Sequence, residues 1–432
     1  LIYFIANKMV TQIVTILKTI MELNKPTQPT NPAIWPDERI HLLEVIGNAS
    51  IGGMENYLKD FIANLPPEKF SVTCICPYES SFTSSLRQLG VEAIYITPIA
   101  DDPSWRSIQL TVEVSRLHHI DLIHAHMPKA HVLAGLAGCL LHKPVVATIH
   151  GMNVTSHELG ITRGVGSYVI TNCQESFTQA LAMGIPPEKL SLVRNGVDTK
   201  TFNRKPSSNI LHDSIHVPPG TRLVGFAGRL EHEKGPDLFI RAAEYVHQHY
   251  PDVHFVVAGE GCMRGEMEQM CKQMRLDQHV HFVGWVNDTC SFYSNLDVLA
   301  HTSRSDGTSL VLLEAMACAC PQVGIAVGGV REIIENESTG MLAGAGDWQE
   351  VGIKIIQLLE EPDRMRSMGE AARIRLEELF DVVKNTQRTA EVLQKIAATG
   401  VNGIRLPYNS ILSQQPSSRE KKQPALKKSA VN

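Results

Sequence analysis

The chain has 432 residues, above the roughly 250–300 at which a single hydrophobic core stops growing, so two domains are expected. Its 43% hydrophobic and 20% charged residues exclude a disordered or fibrous chain. A net charge of −5 with 6% aromatic residues argues against nucleic acid as a partner, which asks for a basic stripe and stacking rings. The nine cysteines form no CxxC and sit mostly in apolar runs such as 72–76 and 315–320. Reduced thiols in a cytoplasmic setting are therefore expected, not a disulfide scaffold or a zinc ribbon.

Residues 1–38 read as an N-terminal extension and linker. Lys8 and Lys18 interrupt its apolar start, which disfavours a spanning helix. No positive region precedes that start, so a signal peptide fits poorly too. As an upstream extension of the reading frame, this stretch would leave Met9 or Met21 as the expected start. An amphipathic helix here would give a peripheral contact at the inner face of the membrane, and four prolines between 24 and 37 mark the linker.

From residue 40 short β-type runs alternate with helical patterns, as in a parallel sheet with crossover helices. Ile40–Ile46 reads as a strand. Met54, Tyr57, Leu58, Phe61 and Leu65 then form one apolar helix face. Further strands are predicted near 70–76, 91–96, 121–125, 144–149, 167–171 and 189–193, with helices near 82–89, 107–118, 129–141 and 174–183. Residues 203–220, rich in Pro and Ser, read as a hinge. A second series has strands near 223–227, 253–258, 279–283, 296–301 and 322–326. Its helices start at Gly235-Pro236 and near 308, and another is capped by Asp347 with Glu350. The fold class is α/β: a Rossmann-like domain over 39–202 and a second over 221–400, doubly wound and facing each other across a cleft. Ligands bind at the carboxyl ends of such strands. The tail 401–432, with six Lys/Arg against one Glu, reads as disordered and basic.

Three features carry chemistry. Gly52-Gly53 follows the first strand, where a bare backbone and a helix N-terminus suit an anion. Arg229 and Lys234 share one strand-to-helix loop and can grip a diphosphate. Asp306 and Glu314 lie eight residues apart, about 12 Å along a helix, and the amides of Thr308, Ser309 and Leu310 open that helix toward a phosphate. A tight turn, a loop neutralised by its own acids and a simple N-cap would explain each feature separately. Glu314, however, lies among Leu312, Leu313, Ala315 and Met316, where an unpartnered carboxylate is costly. His124 and His126 face one side of a strand and, with His131 or His150, sketch a zinc site. No nearby Cys or Glu pattern completes it, and no DxD motif is present, so no metal is expected.

Taken in order, Gly52-Gly53, HAH at 124–126, His150-Gly151, RNGVD at 194–198 and GRLEHEKG at 228–235 make a pattern. AGEG at 258–261, FVGW at 282–285, Asp306/Glu314, EAMA at 314–317 and GGVRE at 328–332 complete it. Over about residues 40–397 the chain resembles a family 4 retaining glycosyltransferase of the GT-B fold. The resemblance implies hexosyl transfer from a nucleoside diphosphate sugar, with a UDP-sugar favoured over a GDP-sugar, to a hydroxyl of a glycan, lipid or small molecule. It implies retention of anomeric configuration, a place in polysaccharide or glycolipid biosynthesis, and no cofactor beyond the co-substrate. Carried over position by position, His150 and Asp306 are the catalytic candidates at the sugar. Gly52, Gly53, Arg229, Lys234, Thr308, Ser309, Leu310 and Glu314 hold the donor, with Glu314 on the ribose. Asp306 replaces the usual Glu, Ala319 a usual Gly, and Gln322 an apolar residue. Gly151 and Ser167 lie only 16 positions apart, which argues against a large acceptor pocket. The alternatives are a nucleotide-sugar binder with impaired catalysis and a GT-B epimerase. A GT-B phosphorylase would need a pyridoxal lysine, for which no site is found.

Overall fold

The computed structural model describes residues 39–399 apart from 51 and 207. The expectations for 1–38 and 401–432 lie outside the described residues.

Two parallel sheets organise the chain. The first has seven strands, β1 (Ile40–Ile46), β2 (Phe70–Cys76), β3 (Ala93–Ile96), β4 (Leu122–His126), β5 (Val145–Ile149), β6 (Tyr168–Thr171) and β7 (Leu190–Leu192), in the order β3-β2-β1-β4-β5-β6-β7. The second has six, β8 (Leu223–Ala227), β9 (His254–Ala258), β10 (Val280–Gly284), β11 (Val298–His301), β12 (Gln322–Ile325) and β13 (Met341–Ala343), in the order β10-β9-β8-β11-β12-β13. Strands shielded by helices on both faces need apolar residues on both faces, and β2 is buried at all seven positions. In each sheet the order reverses beside the first strand, at β1/β4 and at β8/β11. A reversal of this kind opens a crevice for ligands.

Local chemistry explains most helix boundaries. The helix Pro236–His249 starts after Gly235, whose φ of 65° and contact with the Thr302 carbonyl leave no room for a side chain. Asp347 accepts a hydrogen bond from the Glu350 amide at 2.9 Å and caps the helix Trp348–Glu360.

Three departures from the sequence reading have identifiable causes. Between Gly151 and Ser167, where no element is predicted, the helix Ser156–Val165 forms behind a capping box of Thr155 and Glu158. Within 203–220, the helix Ile210–Ser214 forms, and Leu211, Ile215 and Val217 are buried in the second domain's core. The boundary at 400 is corrected as well. The helix Val382–Thr399 leaves the second domain and buries Ala390, Leu393 and Ile396 with Leu58 and Phe61 of the first. The crossing is fastened where the Val197 amide donates to the Phe380 carbonyl at 3.0 Å.

The two turn substitutions are visible in the structure. Ala319 has φ 50°, the left-handed region that costs a residue with a Cβ roughly 1–2 kcal/mol, which is why a Gly is usual there. Gln322 is fully buried and donates from Nε2 to the Leu312 carbonyl at 2.6 Å. All nine cysteines are unpaired. Among the described residues no helix is long and apolar enough to cross a membrane.

Candidate functional site

A cavity of about 550 Å³ lies between the two sheets, and all ten residues singled out from the sequence line it. On the first domain's side β1 leads into Gly52 and the helix Gly53–Asn64. A Cβ at Gly53 would meet nothing within 4 Å, so the backbone there is open. Glu55, which the sequence reading passed over, is buried beneath Gly52 and accepts from Asn48 Nδ2 at 2.8 Å. Burial pushes its carboxyl upward.

The second domain supplies the charges. Arg229 is half exposed and pairs with acids of its own loop, Glu231 at 2.6 Å and Glu233 at 3.8 Å. Lys234 also lies 3.8 Å from Glu233, but its close contact is with Asp306, Nζ to Oδ2, at 2.9 Å. His301 Nε2 also contacts Asp306 Oδ2, at 3.1 Å. Burial raises the Asp306 carboxyl, but the Lys234 ammonium and His301 outweigh it and hold it well below the usual carboxylate range. Glu314 behaves oppositely. Burial with no cation in contact pushes it up to about 7, only partly offset by a hydrogen bond from the Tyr293 hydroxyl at 2.9 Å. One acid is thus ionised at any ordinary pH, and the other titrates near neutrality.

The hydroxyls of Thr308 and Ser309 are already committed. Thr308 donates to the Asn172 carbonyl, and Ser309 contacts His301 Nε2 at 3.1 Å. The first amides of the helix Leu310–Ala317 have no acceptor within it, and Thr308 to Val311 line the cavity. Across the interface Asn195 Nδ2 donates to the Thr308 carbonyl at 3.3 Å, and Arg194 pairs with Glu332 at 2.7 Å. RNGVD and GGVRE therefore meet, although the sequence assigned neither a role. Gly307 packs on the His150 carbonyl, a spacing that excludes a side chain.

The His150 ring lies edge-on to Tyr57, 5.0 Å between centroids. The premise of the zinc reading is corrected. Glu44 of β1, 80 residues before His124, supplies the missing carboxylate, and ligand atoms of Glu44, His124 and His126 lie within 4.8 Å of one another. The parallel pairing of β1 with β4 sets Glu44 beside His124, a neighbour that spacing along one segment cannot reveal. Each carboxylate oxygen is bonded to a different imidazole, at 3.0 and 2.7 Å. His131 lies apart and bonds Ser167. Besides Glu44 and Glu55, the sequence reading missed Tyr293, His301 and Trp285, all on the cavity wall. Trp285 is 55% exposed, and FVGW was its signal.

Two family models match the chain, Glycosyltransferase Family 4 over residues 51–201 and Glycosyl transferases group 1 over 208–375. N-acetyl-alpha-D-glucosaminyl L-malate synthase of Bacillus anthracis is 26% identical over 302 residues, covering 67% of this chain and 79% of that one. UDP-Gal:alpha-D-GlcNAc-diphosphoundecaprenol alpha-1,3-galactosyltransferase of Escherichia coli is 23% identical over 349 residues, covering 76% and 90%. Among solved structures, Anabaena HepE in complex with UDP-glucose superposes with a TM-score of 0.74 at 24% identity, covering 83% of this chain and all of that one. That last likeness concerns the fold. With two Rossmann-like sheets, one cleft and both family models in register with them, the chain belongs to the family 4 glycosyltransferases and has the GT-B fold.

Proposed function

We propose that the protein transfers a hexose from a UDP-sugar to an acceptor hydroxyl with retention of configuration and without a metal ion. The observation that carries this is the convergence of Arg229, Lys234, Asp306, Glu314 and the helix amides after Ser309 on one cavity. A volume near 550 Å³ suits a nucleotide-sized ligand. Arg229, Lys234 and the amides take the charge that builds on the departing diphosphate, the place where preorganised donors stabilise a transition state. Glu314 accepts the ribose hydroxyls, while Asp306 and His150 face the sugar. Trp285 offers an exposed ring at the rim for the base. UDP is preferred because the names of the galactosyltransferase relative and of the HepE complex both carry it. The relatives' substrates favour an acceptor hydroxyl on a small organic acid or a lipid-linked sugar, and the latter would bring the protein to a membrane surface.

The test is transfer from UDP-glucose, UDP-galactose and UDP-N-acetylglucosamine to a panel of such acceptors in the presence of EDTA. UDP release that depends on acceptor and survives EDTA is expected, with the donor's anomeric configuration kept in the product. Loss of transfer on chelation, restored by magnesium or manganese, would overturn the metal-free clamp. Free epimerised sugar released without acceptor would favour the epimerase instead.

A further inference from the structure

Four side chains on one face of the first sheet form a continuous hydrogen-bonded row. Glu44 of β1 is paired in register with His124 of β4, and His126 of β4 with Thr148 of β5. Residues two apart on a strand share a face, so the row runs diagonally toward His150, just beyond β5. Thr148 Oγ1 lies 2.8 Å from His124 Nε2, and His124 Nδ1 is 3.0 Å from Glu44 Oε1. Glu44 Oε2 is 2.7 Å from His126 Nε2, and His126 Nδ1 is 2.9 Å from His150 Nε2. Glu44, His124 and His126 are fully buried.

Only one placement of protons on His126 and His150 satisfies this row. An ionised carboxylate accepts and never donates, while a neutral imidazole has one donor and one acceptor nitrogen. Glu44 is ionised: burial pushes its carboxyl up, but the two imidazoles bring it down to about 2. His126 is neutral, since burial and the adjacent His124 hold it down to about 4, and burial holds His150 lower than its ordinary value too. His124 must therefore donate from Nδ1, and His126 from Nε2. His126 Nδ1 is left as an acceptor, which requires the proton of His150 on Nε2. His150 Nδ1 ends the row as a lone pair, buried and without any partner in the protein.

We infer that Glu44 is a positioning residue for the cleft: acting through His126, it sets the tautomer of His150 so that Nδ1 is an acceptor for a hydroxyl of the bound sugar. This rests on the reading of the cleft as a nucleotide-sugar site. A sugar hydroxyl is the donor that Nδ1 lacks, and free UDP, which has no transferred sugar, does not supply it. In Glu44→Gln the amide has one accepting and one donating side, so one histidine must reverse. The row no longer has a single solution.

Nitrogen NMR of the full chain labelled at histidine reads the tautomers without reference to activity. The expected set is a proton on Nδ1 of His124 and Nε2–H for both His126 and His150. Calorimetry on wild type and Glu44→Gln then compares UDP with UDP-glucose. UDP affinity should be unchanged, while the extra affinity gained from the glucose falls by up to about tenfold, the effect of one hydrogen bond. Any other tautomer set in the wild type, or one metal ion per chain on Glu44, His124 and His126, overturns the inference. So does a folded Glu44→Gln in which His150 stays entirely Nε2–H, or one in which its tautomer changes and the glucose increment survives. Wild-type protein that binds neither ligand would instead remove the reading of the cleft, and the tautomers would still decide the row. If Glu44→Gln does not fold, the wild-type tautomers decide alone.

Discussion

Lys234→Ala should weaken UDP binding about ten- to a hundredfold, the effect of one charge-assisted contact of roughly 1.5–3 kcal/mol. The loss has two parts, because Lys234 is also the cation that balances Asp306 at 2.9 Å. Without it a carboxylate stands beside the diphosphate with His301 and the more distant Ser303 hydroxyl to answer it. The partner substitution should act in the other direction on the same ligand. Asp306→Ala releases the Lys234 ammonium, so UDP affinity should hold or rise while transfer from the UDP-sugar collapses. Calorimetry with UDP and initial rates with the UDP-sugar separate the two. A parallel loss of UDP affinity in both variants would show Asp306 to be a diphosphate-side residue and not a sugar-side one. Asp306→Glu, which restores the residue usual in the family, should keep activity or change sugar preference.

The second large effect belongs to Glu314. Glu314→Ala should weaken UDP and UDP-sugar alike, by about tenfold or more, since both contain the ribose and both lose hydrogen bonds to a charged acceptor. The pH dependence has a definite sign. Glu314 is raised to about 7 by burial, so it is largely neutral below that pH and ionised above it. An ionised carboxylate accepts from two hydroxyls, whereas its protonated form gives up acceptor capacity. Nucleotide affinity should therefore rise from about pH 6 to pH 8 in the wild type. Asp60 is also raised, to about 6, and phosphate titrates nearby, so the comparison is with Glu314→Gln. That variant should lose the part of the rise centred near 7. An identical pH profile in Glu314→Gln would remove the ribose assignment.

Much of this architecture was legible in the sequence because parallel sheets write themselves as local apolar runs. β2 and the helix Gly53–Asn64 could be read from their own residues. So could the loop glycines and the spacing of Asp306 and Glu314, since each depends on a few consecutive positions. What escaped depends on partners distant in the chain. Glu44 meets His124 only through strand pairing, and Arg194 meets Glu332 only across the domain interface. The helix Val382–Thr399 has an apolar stripe that does not say which domain it will cover. Arg229 and Lys234 look equivalent in GRLEHEKG, yet Arg229 makes its close contact with Glu231 of its own loop and Lys234 with the distant Asp306. The helix at 156–165 is a different case, because its capping box of Thr155 and Glu158 was available and went unread.

If the cleft between the two domains holds the sugar nucleotide, Gly53 gives direct access to it. A Cβ there would touch no other atom within 4 Å, and the residue lines the cavity. Gly53→Phe therefore fills the cleft while leaving the core packing alone. Calorimetric titration of UDP-glucose should show one site in the wild type and none in Gly53→Phe, with the two proteins melting at similar temperatures. Undiminished binding in folded Gly53→Phe would contradict the account, because the nucleotide would then lie elsewhere.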